Sequence, residues 1–191
     1  MKIGITPRFE KSIHGSVWYV FEQELIDYVK ASNSNIEINL LFPEATKLDF
    51  DLLIIAGGAN PGDNLERDKF EIELINHARE HALKIIGICR GAQLLAVLSG
   101  ASLIKLNDHV NSHREVKLSN EVKTLNAGKC FHNFGIEDLG VDWEVLARDS
   151  YDDSIELFRN KIRSELGVLS HPERSTKGIN LQDLIQAYLH D

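Results

Sequence analysis

The stretch Ile85-Ile86-Gly87-Ile88-Cys89-Arg90-Gly91-Ala92-Gln93 decides how the chain is read. Residues 84–88 form a short, almost continuous apolar run, as a strand covered on both faces does. Residues 91–99 follow at once with the apolar content of a buried helix. A strand passes into a helix through one cysteine, with glycine two residues before it and two after. A nucleophile elbow requires that pattern, because side chains at the flanking positions would collide in so tight a turn. The residue at the apex is usually held in a strained backbone conformation. Cys89 would also stand at a helix N-terminus, where free N–H groups and the helix dipole favour a thiolate.

Outward from the elbow, short apolar runs alternate with longer amphipathic ones. Residues 2–6 read as a strand stopped by Pro7. Residues 16–31 read as a helix, with Val17, Val20, Phe21, Leu25, Ile26 and Val29 near helical spacing. Residues 36–42 alternate and stop at Pro43, and residues 51–56 are another buried strand. A loop over 57–62 leads to a helix over 64–81, with Asp63 as its cap and Glu66 three residues on. Between 102 and 157 the pieces are short, alternating and separated by Gly, Asn and Asp, which predicts antiparallel hairpins. A last core strand is expected over 165–169 and a closing helix over 179–189. The order predicts one α/β domain over 1–191. It would be three-layered and flavodoxin-like, with a mostly parallel central sheet, helices on both faces and an added antiparallel hairpin region.

A cysteine nucleophile needs a base, and the base needs an orienter. Eight histidines compete: His14, His77, His81, His109, His113, His132, His171 and His190. His171 follows the apolar run 166–169 in Ser170-His171-Pro172-Glu173. A residue leaving the C-terminal end of a core strand faces the same edge as the elbow. In an extended His-Pro-Glu segment, side chains two apart point the same way, so Glu173 can hold the imidazole from behind. The pair Gly57-Gly58 leaves another strand end, where its N–H groups can meet a developing oxyanion together with the N–H of Arg90. That loop lacks GxxxxGK[ST] and GxGxxG, which argues against a nucleotide-phosphate cradle.

These motifs resemble the class I glutamine amidotransferase superfamily, and within it the γ-glutamyl-γ-aminobutyrate hydrolase branch of peptidase C26 type. The likeness spans nearly the whole chain. Phe50–Pro61 is similar to the branch's glycine-pair loop, Arg67-Asp68-Lys69-Phe70-Glu71 to its helix signature, residues 87–93 to its nucleophile motif, and His171-Pro172-Glu173 to its histidine–glutamate pair. The resemblance implies that Cys89 is the nucleophile, His171 the base and acid, and Glu173 the orienter. It implies hydrolysis of a γ-glutamyl amide through a glutamyl thioester. Compact relatives include hydrolases of a γ-glutamyl nucleotide conjugate, γ-glutamyl-CDP-amidate. Gln93 matches a position that contacts the glutamyl group. Where the branch has Val-Asn-Ser-x-His-x-Gln, this chain has Gly128-Lys129-Cys130-Phe131-His132-Asn133-Phe134. Cys130 stands at the serine position and Phe134 at the glutamine, leaving His132, Asn133 and Phe134 as candidate glutamyl contacts. The alternative is a glutaminase subunit that delivers ammonia to a synthetase partner.

The remaining features exclude more than they assign. The net charge of −8 argues against binding nucleic acid polymers or an anionic membrane. Two cysteines without CxxC spacing exclude a disulfide scaffold and fit a reduced, cytoplasmic setting. No apolar run approaches the length of a membrane span. No cofactor and no metal are expected: His77 and His81 are four apart but lack a third ligand, and His109 and His113 read as a solvated loop. Cys130 reads as a buried strand thiol. Trp18 and Tyr19 read as core or rim packing. Arg8, Arg90, Arg114 and Arg174 are the cations that could meet an anionic substrate, Arg90 first because it adjoins Cys89.

Overall fold

The computed structural model describes residues 1–44, 48–119, 124–175 and 180–189. Its strands are β1 (Lys2–Ile5), β2 (Arg8–Lys11), β3 (Val17–Val20), β4 (Glu37–Leu40), β5 (Leu52–Ile55), β6 (Lys84–Ile88), β7 (Leu103–Lys105), β8 (Val110–Leu118), β9 (Thr124–Phe131), β10 (Phe134–Ile136), β11 (Trp143–Asp149), β12 (Ile155–Asn160) and β13 (Glu165–Val168). The helices are α1 (Gln23–Ser32), α2 (Leu65–Glu80), α3 (Arg90–Val97) and α4 (Leu181–Tyr188).

A nine-stranded sheet runs in the order β4-β1-β5-β6-β13-β12-β11-β8-β9. The five strands from β4 to β13 are mutually parallel. From β13 outward to β9 every pairing is antiparallel. Helices cover both faces of the parallel half, and alternate residues of one strand therefore enter two different cores. Leu52 and Ile54 join Leu25 and Val29 of α1 and Leu184 and Ile185 of α4. Leu53 and Ile55 join Leu74 and Ile75 of α2 and Leu94 and Leu95 of α3. That double burial is why β5 and β6 are apolar at nearly every position. The architecture is the expected flavodoxin-like α/β sheet with an antiparallel extension. Among the described residues, no helix is long and apolar enough to cross a membrane.

The parallel arrangement sends the C-terminal ends of β1, β5, β6 and β13 to one edge. Thr6–Arg8, Ala56–Gly58, Cys89 and Leu169–His171 all emerge there, which is how segments far apart in sequence come to share one site.

Three local expectations are corrected. Residues 16–20 are not helical: Val17–Val20 pairs antiparallel with Arg8–Lys11 in a separate two-stranded sheet, and α1 begins only at Gln23. The helical spacing there is coincidental, since Trp18 is 59% exposed and buries no core face. Asn64 rather than Asp63 caps α2, its side chain accepting the Arg67 N–H at 3.0 Å. Asp63 instead accepts from the backbone and side-chain amides of Asn60. His171–Glu173 is not extended, because Pro172–Arg174 forms one 3₁₀ turn. Of the other expected elements, residues 122, 123 and 179 lie outside the described residues, as does His190.

Candidate active site

Cys89 caps α3 with φ 51° and ψ −107°, in the left-handed region that side chains avoid. Its own N–H is tied to Val168 O of β13 at 2.7 Å, and its carbonyl receives the Gln93 N–H at 3.1 Å. The flanking glycines are required by close approach. A Cβ on Gly87 would lie 2.5 Å from the backbone of Gly91, and one on Gly91 would lie 2.1 Å from Ile55 O. The elbow is thus wedged directly against the end of β5. The N–H of Arg90 belongs to the first helical residue and has no carbonyl four residues earlier to receive it within the helix.

His171 comes off the end of β13 and is buried. Its N–H donates to Lys129 O of β9 at 2.8 Å. Its Nδ1 meets Glu173 Oε1 at 2.5 Å, so the expected pair forms, through a tight turn rather than an extended segment. Burial opposes charge on the imidazole. Hydrogen bonds to Cys89 and Glu173 and the negative charge of both outweigh it and raise the pKa to about 9. The Phe131 ring stands edge-on to His171, and the Arg174 guanidinium lies 4.8 Å over that ring.

Gly58 adopts φ +140°, and a Cβ there would meet Arg67 Nη1 at 2.3 Å. A buried charge network lies beneath this loop. Arg67 donates to Ala56 O at 2.8 Å and to Glu71 Oε1 at 3.0 Å. Thr6 Oγ1 donates to the same carboxylate at 2.7 Å and accepts the Ala56 N–H at 3.1 Å. Arg90 pairs with Glu71 and Asp68. Burial, then repulsion from Arg67, pushes the Arg90 guanidinium down to about 9. The helix signature Arg67–Glu71 therefore fixes the glycine loop to the elbow. The Arg90 side chain is committed to this network, and its backbone is the part that adjoins Cys89.

Cys89, His171, Gly58 and Arg90 line one cleft of about 290 Å³, with Arg8, Phe9, Glu10 and Arg174 at its wall. Strand β2 supplies the first three, and its partner β3, in the stretch expected to be helical, pairs with it behind the rim. Tyr19 packs on Phe9 behind that wall, and Trp18 is exposed. Arg8 and Arg174 share the carboxylate of Glu22, at 3.0 and 2.7 Å. Arg114 lies elsewhere, bound to Asp108 O and near Asp149.

Gln93, His132, Asn133 and Phe134 are not on that cleft wall. Gln93 is buried and its amide donates to Phe134 O at 2.7 Å. His132 is buried with Nδ1 against Leu169 O at 3.1 Å. Asn133 is exposed, and its carbonyl accepts the Leu106 N–H. His109, expected in a solvated loop, is buried beside His132. Sequence reasoning missed the association of His109, Cys130, His132 and Glu156. Its only local signal is the two-residue spacing of Cys130, near the end of β9, and His132 just beyond it.

Residues 50–173 match the family model for peptidase C26. The chain is 35% identical over 119 residues to a γ-glutamyl-CDP-amidate hydrolase of Campylobacter jejuni, covering 62% of this chain and 57% of that protein, so the match spans little more than half of that relative. It is 32% identical over 138 residues to a glutamine-hydrolysing GMP synthase subunit of Thermoplasma volcanium, covering 68% and 66%. The fold matches a solved structure described as a GMP synthase subunit from Thermoplasma acidophilum. That match has a TM-score of 0.74 and 21% identity over 99% of this chain and 92% of that one. The chain therefore belongs to the peptidase C26 family.

Proposed function

We propose that the chain hydrolyses a γ-glutamyl amide through a glutamyl thioester on Cys89. The observation that carries the reading is a cysteine at a positive-φ strand-to-helix apex, hydrogen-bonded to a histidine that a glutamate holds from behind. The Cys89 thiolate attacks the γ-carbonyl carbon, and the N–H groups of Gly58 and Arg90, with Gly57 shaping the loop, receive the oxyanion. The C–N bond then breaks, and the His171 imidazolium gives its proton to the leaving nitrogen. Water attacks the thioester and returns its proton to His171. Glutamate leaves and the Cys89 sulfur is regenerated. Glu173 keeps the imidazole in the required tautomer and orientation.

The cleft volume of about 290 Å³ lies at the small end for ligand sites, so it suits the glutamyl group while the leaving group projects past Arg8 and Arg174. Those two cations, together with the likeness to the Campylobacter hydrolase, support an anionic, nucleotide-linked leaving group. The test is glutamate release from a panel of γ-glutamyl conjugates, γ-glutamyl-CDP-amidate included, by the protein alone. Cleavage of an anionic conjugate well above glutamine is expected, with no turnover by Cys89→Ser. Activity on glutamine only when a synthetase is added would overturn this reading. It would favour the ammonia-delivering role that the likeness to the GMP synthase subunit suggests.

A further inference from the structure

Behind the cleft wall, four side chains from four segments converge in the antiparallel half of the sheet. His109 precedes β8, Cys130 is in β9, His132 follows β9, and Glu156 is in β12. All four are buried. One ligand atom from each lies within 4.8 Å of every other. His109 Nδ1 and His132 Nε2 are both 3.4 Å from Glu156 Oε1, and Cys130 Sγ is 3.9 Å from Glu156 Oε2.

Within the cluster Cys130 Sγ donates to Glu156 Oε2, and that bond leaves the other inward atoms unsatisfied. Among the described residues, His109 Nδ1, His132 Nε2 and Glu156 Oε1 have no hydrogen-bond partner, although each is aimed into the same small volume. Three such orphans in one place are costly and need a reason.

Each ring is fixed from its other side. His109 Nε2 meets Asp152 Oδ2 at 2.7 Å, and His132 Nδ1 meets Leu169 O at 3.1 Å. Both partners only accept, so those nitrogens carry the protons of the neutral rings. The inward nitrogens are then lone-pair donors. A ligating histidine is oriented in this way, by a carboxylate or a backbone carbonyl behind it.

We propose that His109 Nδ1, His132 Nε2, Cys130 Sγ and a Glu156 carboxylate oxygen bind one structural zinc ion. Ordinary zinc bond lengths in a tetrahedron place ligand atoms roughly 3.3–3.6 Å apart, and the two 3.4 Å contacts already have that span. One thiolate, one carboxylate, two neutral imidazoles and a divalent cation form a site without net charge, which removes most of the penalty of burying ions there. On binding, the Cys130 thiol proton leaves to solvent. The mixed sulfur, nitrogen and oxygen donor set suits zinc better than magnesium or calcium. A third group on the far side of His109 is already engaged: Asp149 accepts the backbone N–H groups of Tyr151 and Asp152.

The ion would hold together the segments that present His171. Lys129, beside Cys130, accepts the His171 N–H, and Leu169 O accepts from His132. The proposed zinc therefore positions the histidine without touching substrate.

The full chain, expressed in zinc-supplemented cells and purified without chelator, is to be assayed by inductively coupled plasma mass spectrometry. About one zinc per chain is expected. Growth on cobalt should instead give the visible bands of tetrahedral Co(II) and a near-ultraviolet thiolate-to-cobalt band. Cys130→Ser should abolish the thiolate band, and Glu156→Gln should lower metal content severalfold. Wild-type protein that is folded by circular dichroism yet carries only traces of zinc and takes up no cobalt would overturn the proposal, whatever the variants do. Full zinc content in folded Cys130→Ser and Glu156→Gln proteins would overturn it equally.

Discussion

Cys89 and Cys130 are both buried, and their surroundings differ in kind. Cys89 directly follows β6 of the parallel half, at a strained apex, with a histidine in front of it and a cleft beyond. Cys130 lies within β9 in the antiparallel half, closed in by His109, His132 and Glu156. Burial, with the Glu156 charge added, pushes the Cys130 thiol far up. The parallel half puts its strand ends on one edge and so exposes chemistry there. The antiparallel half turns its chemistry inward. Reactivity in this chain follows from where a strand ends, and burial alone does not decide it.

The sharpest way to break that contrast is to exchange the two cysteines' effects. Cys89→Ala is expected to reduce γ-glutamyl hydrolysis by at least roughly 10⁴-fold while changing thermal stability little, because alanine keeps the Cβ and with it the strained backbone. Cys130→Ala is expected to act through the fold, lowering stability by about 2 kcal/mol or more in chemical denaturation. The contrast fails if Cys130→Ala stops turnover with stability intact.

Within the parallel half, His171→Ala should lower kcat by roughly 10²–10⁴-fold, and Glu173→Ala by less, since orientation is only part of the base's task. A larger loss for Glu173→Ala in steady-state kinetics would reverse the assignment. Beneath the glycine loop, Arg90→Met leaves the Glu71 carboxylate buried with one cation fewer. A cost of about 3–5 kcal/mol in urea denaturation is expected. A neutral result would mean that the loop is not held by this network.

The smallest effect is a pH dependence. The folded-state pKa of His171 is raised from 6.5 to about 9, so the folded protein binds this proton more tightly than the unfolded chain does. The stability it contributes is therefore complete below 6.5 and is lost as pH rises through about 9. The Tm gap between wild type and Glu173→Gln should be widest below that window and should narrow above it. The change is on the order of 1 kcal/mol, and a gap that widens with pH would contradict the pairing.

The elbow was legible because its signal is local. Gly87, Cys89 and Gly91 are spaced by backbone collisions that any such turn must avoid, and β5 and β6 are apolar because helices cover both faces. The pairing of His171 with Glu173 was legible from proximity, although the turn that delivers it was not. What stayed hidden depends on distant partners. Strand β3 carries Val17 and Val20 at a spacing a helix would also show, and only its pairing with β2 decides between the two. Arg90 adjoins Cys89 in sequence, yet carboxylates about twenty residues earlier hold its side chain in a buried charge network. Cys130 and the three groups around it come from positions up to 47 residues apart, and no motif marks them together.

The central claim is that Cys89 is the nucleophile that takes the glutamyl group. A glutamine analogue bearing a diazoketone at the γ-position tests it directly, with peptide mapping of the labelled protein and residual activity followed together. One label per chain on Cys89, none on Cys130, and activity lost in proportion to labelling is the result expected. Label on another residue, or activity that survives full modification of Cys89, would contradict it.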